Sequence, residues 1–265
     1  MKLGAIVGNS DDEAHGPAIP AIIYGRAVRP PMAARVVLVE PKYDGNVGSV
    51  ARAMKNFGLS ELVLVNPCPL GEDARRRAMH GIDILEGART MGSLAVAVKG
   101  CGLVAGTTAV DTRSEKRFAR ISSTPREFAE RVRGFGGRMA LVFGREDDGL
   151  HDEEIKGCDA LITIPASREY PVLNLSHAAA ILFYELHQAP SARRRVASDM
   201  ERGKLHDAFS DLVRATEYPP HKVERTRVMF RRLIGRAMPT KWEFHALIGV
   251  YTRATKRIAR LEAQR

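Results

Sequence analysis

The sequence predicts an α/β fold: a mainly parallel sheet with helices on both faces, followed by a small helical C-terminal region. Three observations carry this. Apolar runs at 36–40, 62–66, 103–106, 140–143 and 161–164 read as buried strands. Helical patterns lie between them, and short continuous apolar runs alternating with helices imply parallel strands covered on both sides. After residue 188 the strand-like runs stop, and long helical patterns broken by prolines take over.

Residues 1–34 come first and differ from the rest. "GNSDDEAHGPAIP" and "RAVRPPMAAR" are rich in Gly, Pro and small residues with no sustained period. A disordered extension is expected there. It has no basic start followed by an apolar stretch, so it does not read as a signal peptide. Met32 stands just before the first strand and is a candidate alternative start.

Residues 35–188 form the alternating region, opened by "VVLVEPKYDGNVGSVARAMKNFG". Val47, Val50, Ala51 and Met54 follow a helical i, i+3, i+4, i+7 pattern, which puts Arg52 on the opposite face. Asn46 is placed to cap this helix. Gly45 and Gly48 read as allowing a tight turn and close approach of a ligand, with the helix start favouring an anion. Both G-x-G-x-x-G and G-x-x-x-x-G-K-[ST] are missing, which removes the main support for hydride transfer or nucleotide hydrolysis. In parallel sheets ligands sit beyond the carboxyl ends of the strands, so the loops after the strands are the places to search. Two more such loops stand out: "LVFGREDDGL" at 141–150 and "ITIPASREYPVLNLSHAAAILFYEL" at 162–186. In the latter, Asn174 is placed to cap an apolar helix. Ser176 and His177 are adjacent on that helix and do not face each other. With no G-x-S-x-G elbow, a serine hydrolase is set aside.

The last region, 189–265, follows the linker "HQAPSARRRV" and carries helical patterns at 197–217, 221–236 and 241–263, separated by "YPP" and "MPT". Trp242 and Phe244 are expected in its core rather than stacked on bases. The net charge of +10 is concentrated here: from 191 to 265 there are 18 Lys+Arg against 8 Asp+Glu, while the remaining residues balance at 23 of each. A neutral body with a basic tail points to a polyanion partner. The three cysteines, Cys68, Cys101 and Cys158, are dispersed and form no Cys-x-x-Cys pair, which argues against a zinc ribbon or a disulfide framework. The histidines show no ligand spacing, so no metal is expected. No run of apolar residues is long enough to span a membrane. A reducing, cytoplasmic setting is the simple reading.

Together, "GNVGSVARAMKNFG", "LVFGRE..GL" and "LNLS", in this order and each after a predicted strand, resemble the SPOUT class of RNA methyltransferases. The likeness is greatest to the TrmH/TrmJ branch, which methylates ribose 2′-hydroxyls. It covers about 35–188. In the tail, "RRLIGRAMPTKWEFHALIGV" is similar to the C-terminal helices of the TrmJ group, which modifies nucleotide 32 of the tRNA anticodon loop. The resemblance implies a C-terminal trefoil knot, an exception to the usual absence of knots. It further implies S-adenosylmethionine as cofactor, tRNA as partner and a homodimer whose sites draw on both chains. By the same resemblance Asn46, Arg52, Glu146 and Asn174 match motif positions tied to catalysis or its architecture. Thr107, Thr108, Ala109, Gly144, Ile164 and the Pro171, Val172 and Leu173 backbone would line the cofactor site. Relatives commonly carry serine where Val172 stands, so no side-chain role transfers there.

A ribose hydroxyl is a weak acid, and arginine, with an ordinary pKa above about 12, is a poor base. Arg52 is therefore expected either to act as base with help from a nearby phosphate or to position that phosphate and stabilise developing charge. Glu146 is expected to organise its loop, or to pair with an arginine, rather than to act as general base. Arg193, Arg194, Arg195, Arg231, Arg232, Lys256 and Arg257 are candidate phosphate contacts. The alternatives are a 2′-O-methyltransferase for another RNA, such as ribosomal RNA or the tRNA D-loop, and a non-catalytic RNA-binding module on the same fold.

Overall fold

The computed structural model describes residues 33–109, 122–188 and 199–264. The extension expected at 1–34 lies outside them up to residue 32; Ala34 already belongs to the first strand. In chain order the elements are β1 (Ala34–Val39), α1 (Asp44–Asn56), β2 (Glu61–Val65), α2 (Glu72–Ala78), α3 (Ile82–Glu86), β3 (Arg89–Met91), α4 (Leu94–Ala97), β4 (Leu103–Thr107), α5 (Pro125–Arg131), β5 (Met139–Phe143), α6 (Asp152–Gly157), β6 (Ala160–Ile162) and α7 (Leu175–Gln188). Three longer helices follow: α8 (Asp199–Ala215), α9 (Pro220–Ala237) and α10 (Lys241–Glu262).

The strands form a six-stranded sheet in the order β3-β2-β1-β5-β4-β6. Every pairing in it is parallel. Each of the five apolar runs became a strand. β3 was not foreseen, because Arg89–Met91 is a short edge strand with an exposed start and no apolar run. Alternation along the buried strands divides the core. Val36, Leu38, Leu64, Leu141 and Phe143 face α1, α2, α5 and α7. Val37, Val39, Val65 and Val142 face the opposite layer, with Ala97 of α4 and Ile155 of α6. Burial of both faces explains why these strands read as continuous apolar runs.

β1 pairs with β2 on one side and β5 on the other. Chain order therefore reverses between β1 and β5, and a crevice opens beyond their carboxyl ends, where such sheets hold ligands.

The glycines of the opening turn have a different purpose from the one expected. A side chain at Gly48 would put Cβ 2.0 Å from the Ala74 carbonyl oxygen, and one at Gly45 would put it 2.1 Å from Asp73 Oδ2. They admit helix α2 rather than a ligand. Asp44 completes the joint: its Oδ2 accepts from the backbone N–H of Gly71 at 3.0 Å and of Ala74 at 3.2 Å, capping α2 from α1. The cap of α1 itself is Tyr43, which makes no side-chain capping bond, and Asn46 lies within the first turn. Asn46 is thus not the N-cap that its position suggested.

The three C-terminal helices enclose a core of their own, with Leu205, Phe230, Ile234 and Phe244 buried. Phe209 stacks on Phe230 with centroids 3.8 Å apart. Phe244 is core, as expected, but Trp242 is 80% exposed. Two residues apart on a helix, the two side chains point about 200° apart, so one cannot follow the other inward.

Candidate active site

The loops after β1, β5 and β6 meet at the crevice. Asn46 Nδ2 donates to Glu146 Oε1 at 2.8 Å, and Asn46 Oδ1 accepts from Asn174 Nδ2 at 3.1 Å. Glu146 Oε2 accepts from the backbone N–H of Lys42 at 2.9 Å. Asn174 Oδ1 accepts from the N–H of Ser176 at 2.9 Å and from its hydroxyl at 2.7 Å, so Asn174 does cap α7 while its amide reaches Asn46. Three of the four expected catalytic residues thus form one hydrogen-bonded chain. Arg52 is not in it. It is exposed, on the face away from the buried Val47, Val50 and Met54, and lines an open groove with Ser49, Asn56, Arg76, Arg77 and His177.

Glu146 of this chain lines a cavity of about 290 Å³, while Asn46 and Asn174 line a separate one. All eight residues expected at the cofactor site line the cavity of Glu146: Thr107, Thr108, Ala109, Gly144, Ile164, Pro171, Val172 and Leu173. Its volume lies near the lower end of small-molecule sites, about 300 Å³. Gly144 has a plain steric reason. A Cβ there would lie 2.1 Å from the carbonyl carbon of Gly149, because loop 144–150 folds back over the strand end.

Arg145, the arginine of the "LVFGRE..GL" motif, holds that fold-back. Its Nε donates to Glu40 Oε2 at 2.8 Å, and its two terminal nitrogens donate to Glu154 Oε2 and Oε1 at 3.0 and 3.1 Å. The guanidinium is buried and its pKa is raised, first by the hydrogen bonds to Glu154. The Arg145 hydrogen bond in turn holds the Glu40 carboxyl below its ordinary value. One bidentate fork therefore joins the end of β1, the 144–150 loop and α6. Its carboxylate partners lie 105 and 9 residues away, so no local spacing could announce them.

The expected phosphate contacts divide. Lys256 and Arg257 are exposed on α10. Arg231 is partly exposed and donates to the Gly157 carbonyl at 3.1 Å, beside Asp159 at 3.7 Å. Arg232 is 1% exposed and donates to the Ile155 carbonyl at 2.5 Å. It cannot face a phosphate; its guanidinium serves the joint between α9 and the end of α6. Arg193, Arg194 and Arg195 lie outside the described residues.

Residues 33–184 match the SpoU rRNA Methylase family. The chain belongs to that family. Among its relatives, the tRNA (cytidine-2′-O-)-methyltransferase TrmJ of Methanocaldococcus jannaschii is 36% identical, over 82% of this chain and 97% of its own length. The tRNA (cytidine/uridine/adenosine-2′-O-)-methyltransferase TrmJ of Pseudomonas aeruginosa is 39% identical, over 85% and 95%. The crystal structure of TrmJ from Z. mobilis ZM4 superposes with a TM-score of 0.64 at 26% identity, covering 83% of this chain and 98% of that one. Both curated relatives and the crystal structure extend past the SpoU match into the C-terminal helices.

Proposed function

We propose that the protein is an S-adenosylmethionine-dependent methyltransferase acting on a ribose 2′-hydroxyl of tRNA, at nucleotide 32 of the anticodon loop. The observation that carries this is the chain Glu146–Asn46–Asn174, which ties three loops together and reaches the cavity through Glu146. The similarity to TrmJ relatives along most of the chain supports the substrate class. The cavity fits the cofactor in its chemistry. Phe143, Leu150, Ile155, Ile164 and Leu173 offer an apolar wall for a planar ring. Glu146, Asp147 and Asp148 offer carboxylates to a cationic group. When bound, S-adenosylmethionine supplies an electrophilic methyl group on a sulfonium.

The chain's own residues do the rest by positioning, which can supply a large part of a barrier reduction. Both Glu146 oxygens already accept hydrogen bonds, one from Asn46 and one from Lys42, so Glu146 organises the loop rather than taking a proton. Arg52 stands exposed in an arginine-lined groove, a place suited to hold the substrate phosphate and stabilise developing charge.

The same reading includes a trefoil knot in the C-terminal part of the sheet, supported by β4 and β6 lying outside β5. It includes a cytoplasmic homodimer, for which Ile181 and Tyr184, 39% and 49% exposed on α7, offer apolar surface. It divides the chain into an extension that ends before Ala34, a methyltransferase domain from there to 188 and a basic tRNA-binding region at 189–265.

The test is to map methyl groups on unmodified tRNA transcripts incubated with the protein and S-adenosylmethionine, beside Arg52→Ala. A ribose methyl at nucleotide 32, lost in the variant, is the expected result. Methylation of ribosomal RNA alone would overturn the tRNA assignment, and no methylation of any RNA would overturn the reaction.

A further inference from the structure

We propose that the open groove between α1, α2 and α7 is a phosphate-binding subsite for the RNA strand beside the reacting ribose, with Arg76 and Arg77 of α2 as its anchors next to Arg52. This rests on the RNA methyltransferase reading and adds two residues that no motif singled out. Arg52, Arg76 and Arg77 line the same groove. Arg77 also lines a smaller cavity with Tyr43, Asn46 and Asn174. It therefore stands between the hydrogen-bonded chain and the groove.

The position of Arg77 is built. Its Nε donates to Asp73 Oδ2 at 2.8 Å and lies 2.7 Å from where a Cβ of Gly45 would be. Any side chain at 45 would push the guanidinium away from the start of α1. Arg76 uses the other oxygen, Asp73 Oδ1, at 2.5 Å. One carboxylate thus orients two guanidiniums and leaves the groove positive once Arg52 is counted. The Arg76 and Arg77 side chains are 76% and 52% exposed. Exposed pairs of this kind contribute little to stability, so a phosphate can share these forks at little cost. Arginine's planar fork matches phosphate oxygens two at a time. Ser49 and Asn56, which line the groove, are seven residues apart on α1, about 10 Å along its axis, so the groove accommodates an extended strand rather than a single ion.

The test uses the full chain and an unmodified tRNA transcript. Binding is followed by fluorescence anisotropy across a salt series for wild type, Arg76→Ala/Arg77→Ala and Arg76→Lys/Arg77→Lys. S-adenosylmethionine binding and melting temperature serve as controls for folding. The alanine pair should weaken binding about tenfold and reduce the salt slope by about 1.4, at about 0.7 per phosphate on a single strand. The loss of methyl transfer should fall mainly on KM. The lysine pair, which keeps the charge, should retain most of the slope. Unchanged affinity and slope in a folded alanine pair would overturn the subsite, as would a wild type that does not bind tRNA. A wild type that binds with the predicted slope difference but transfers no methyl to any RNA would leave the groove standing and sink the methyltransferase reading alone.

Discussion

Asn46 and Glu146, 100 residues apart in sequence, share a 2.8 Å hydrogen bond, the amide of Asn46 donating to the carboxylate. The bond joins the first turn of α1 to the loop after β5. The same amide accepts from Asn174, so a single side chain fixes three loops relative to one another.

Replacing Asn46 by alanine should remove both bonds and leave the helix intact. Each is worth about 0.5–1.5 kcal/mol, so a modest fall in melting temperature is expected. Methyl transfer should fall at least tenfold, because misplacement of an active-site loop by about 1 Å can cost two orders of magnitude. Single-turnover methylation beside a thermal melt checks both. Full activity with loosened loops would remove this chain from the site.

Gly48 and Gly203 should respond to alanine with opposite signs. At Gly48 the new Cβ meets a backbone carbonyl at 2.0 Å, forcing α1 and α2 apart. A cost of about 1–3 kcal/mol or more is expected. At Gly203, exposed on α8, a Cβ meets nothing within 4 Å, and alanine should stabilise by up to about 1 kcal/mol. Urea denaturation of the two variants measures both.

The Glu40–Arg145 pair makes stability depend on acid. Glu40 is held below its ordinary value of 4.5 in the folded chain. The unfolded chain therefore binds the proton first, and the contribution is present above about 4.5 and is lost as pH falls through the lower folded value. Arg145→Met should flatten this acid limb and loosen the 144–150 loop. Melting temperature against pH from 6 to 3 tests it: an equally steep limb in the variant assigns the acid sensitivity elsewhere.

His206 behaves in the same direction at higher pH. Burial, and then Arg231 nearby, push its pKa down from 6.5 to about 4. The unfolded chain takes up the proton first, so stability present above 6.5 is lost as pH falls toward 4, on the order of 3 kcal/mol when complete. Titration of the His206 ring signals by NMR should show no protonation at pH 6.

Arg232→Met and the pair Lys256→Ala/Arg257→Ala should separate docking from RNA binding. Methionine fills most of the volume of the buried guanidinium but removes its hydrogen bond to the Ile155 carbonyl, so stability should fall. The substitution should leave the salt dependence of tRNA binding unchanged. The exposed pair on α10 should reduce the salt slope by about 0.7 for each phosphate lost.

The sheet was legible because its central strands are buried on both faces, leaving apolar runs that only burial explains. The edge strand β3 has no such signature. The cavity residues were legible through the family resemblance: Thr107, Gly144 and Leu173 lie far apart in sequence, and nothing local shows that they share a wall. Helix periodicity placed Arg52 outward correctly but could not choose between Trp242 and Phe244. Charge counting marked the tail as basic yet could not tell Arg232, spent on an internal carbonyl, from Lys256 in solvent. The glycines of the opening turn were read as making room for a ligand because the helix that fills that room, α2, comes from a segment with little pattern of its own.

Gly235 of α9 would place a Cβ 2.2 Å from the carbonyl oxygen of Asp159. Asp159 in turn is bonded to Val104 through both its backbone N–H and its carboxylate, at 2.7 and 2.9 Å. The C-terminal helices are therefore no interchangeable cassette. A tail transplanted from a relative would seat only if it brought a residue without a side chain to that one point of contact, and a catalytic half given a foreign tail would inherit a misfit beside its own sheet.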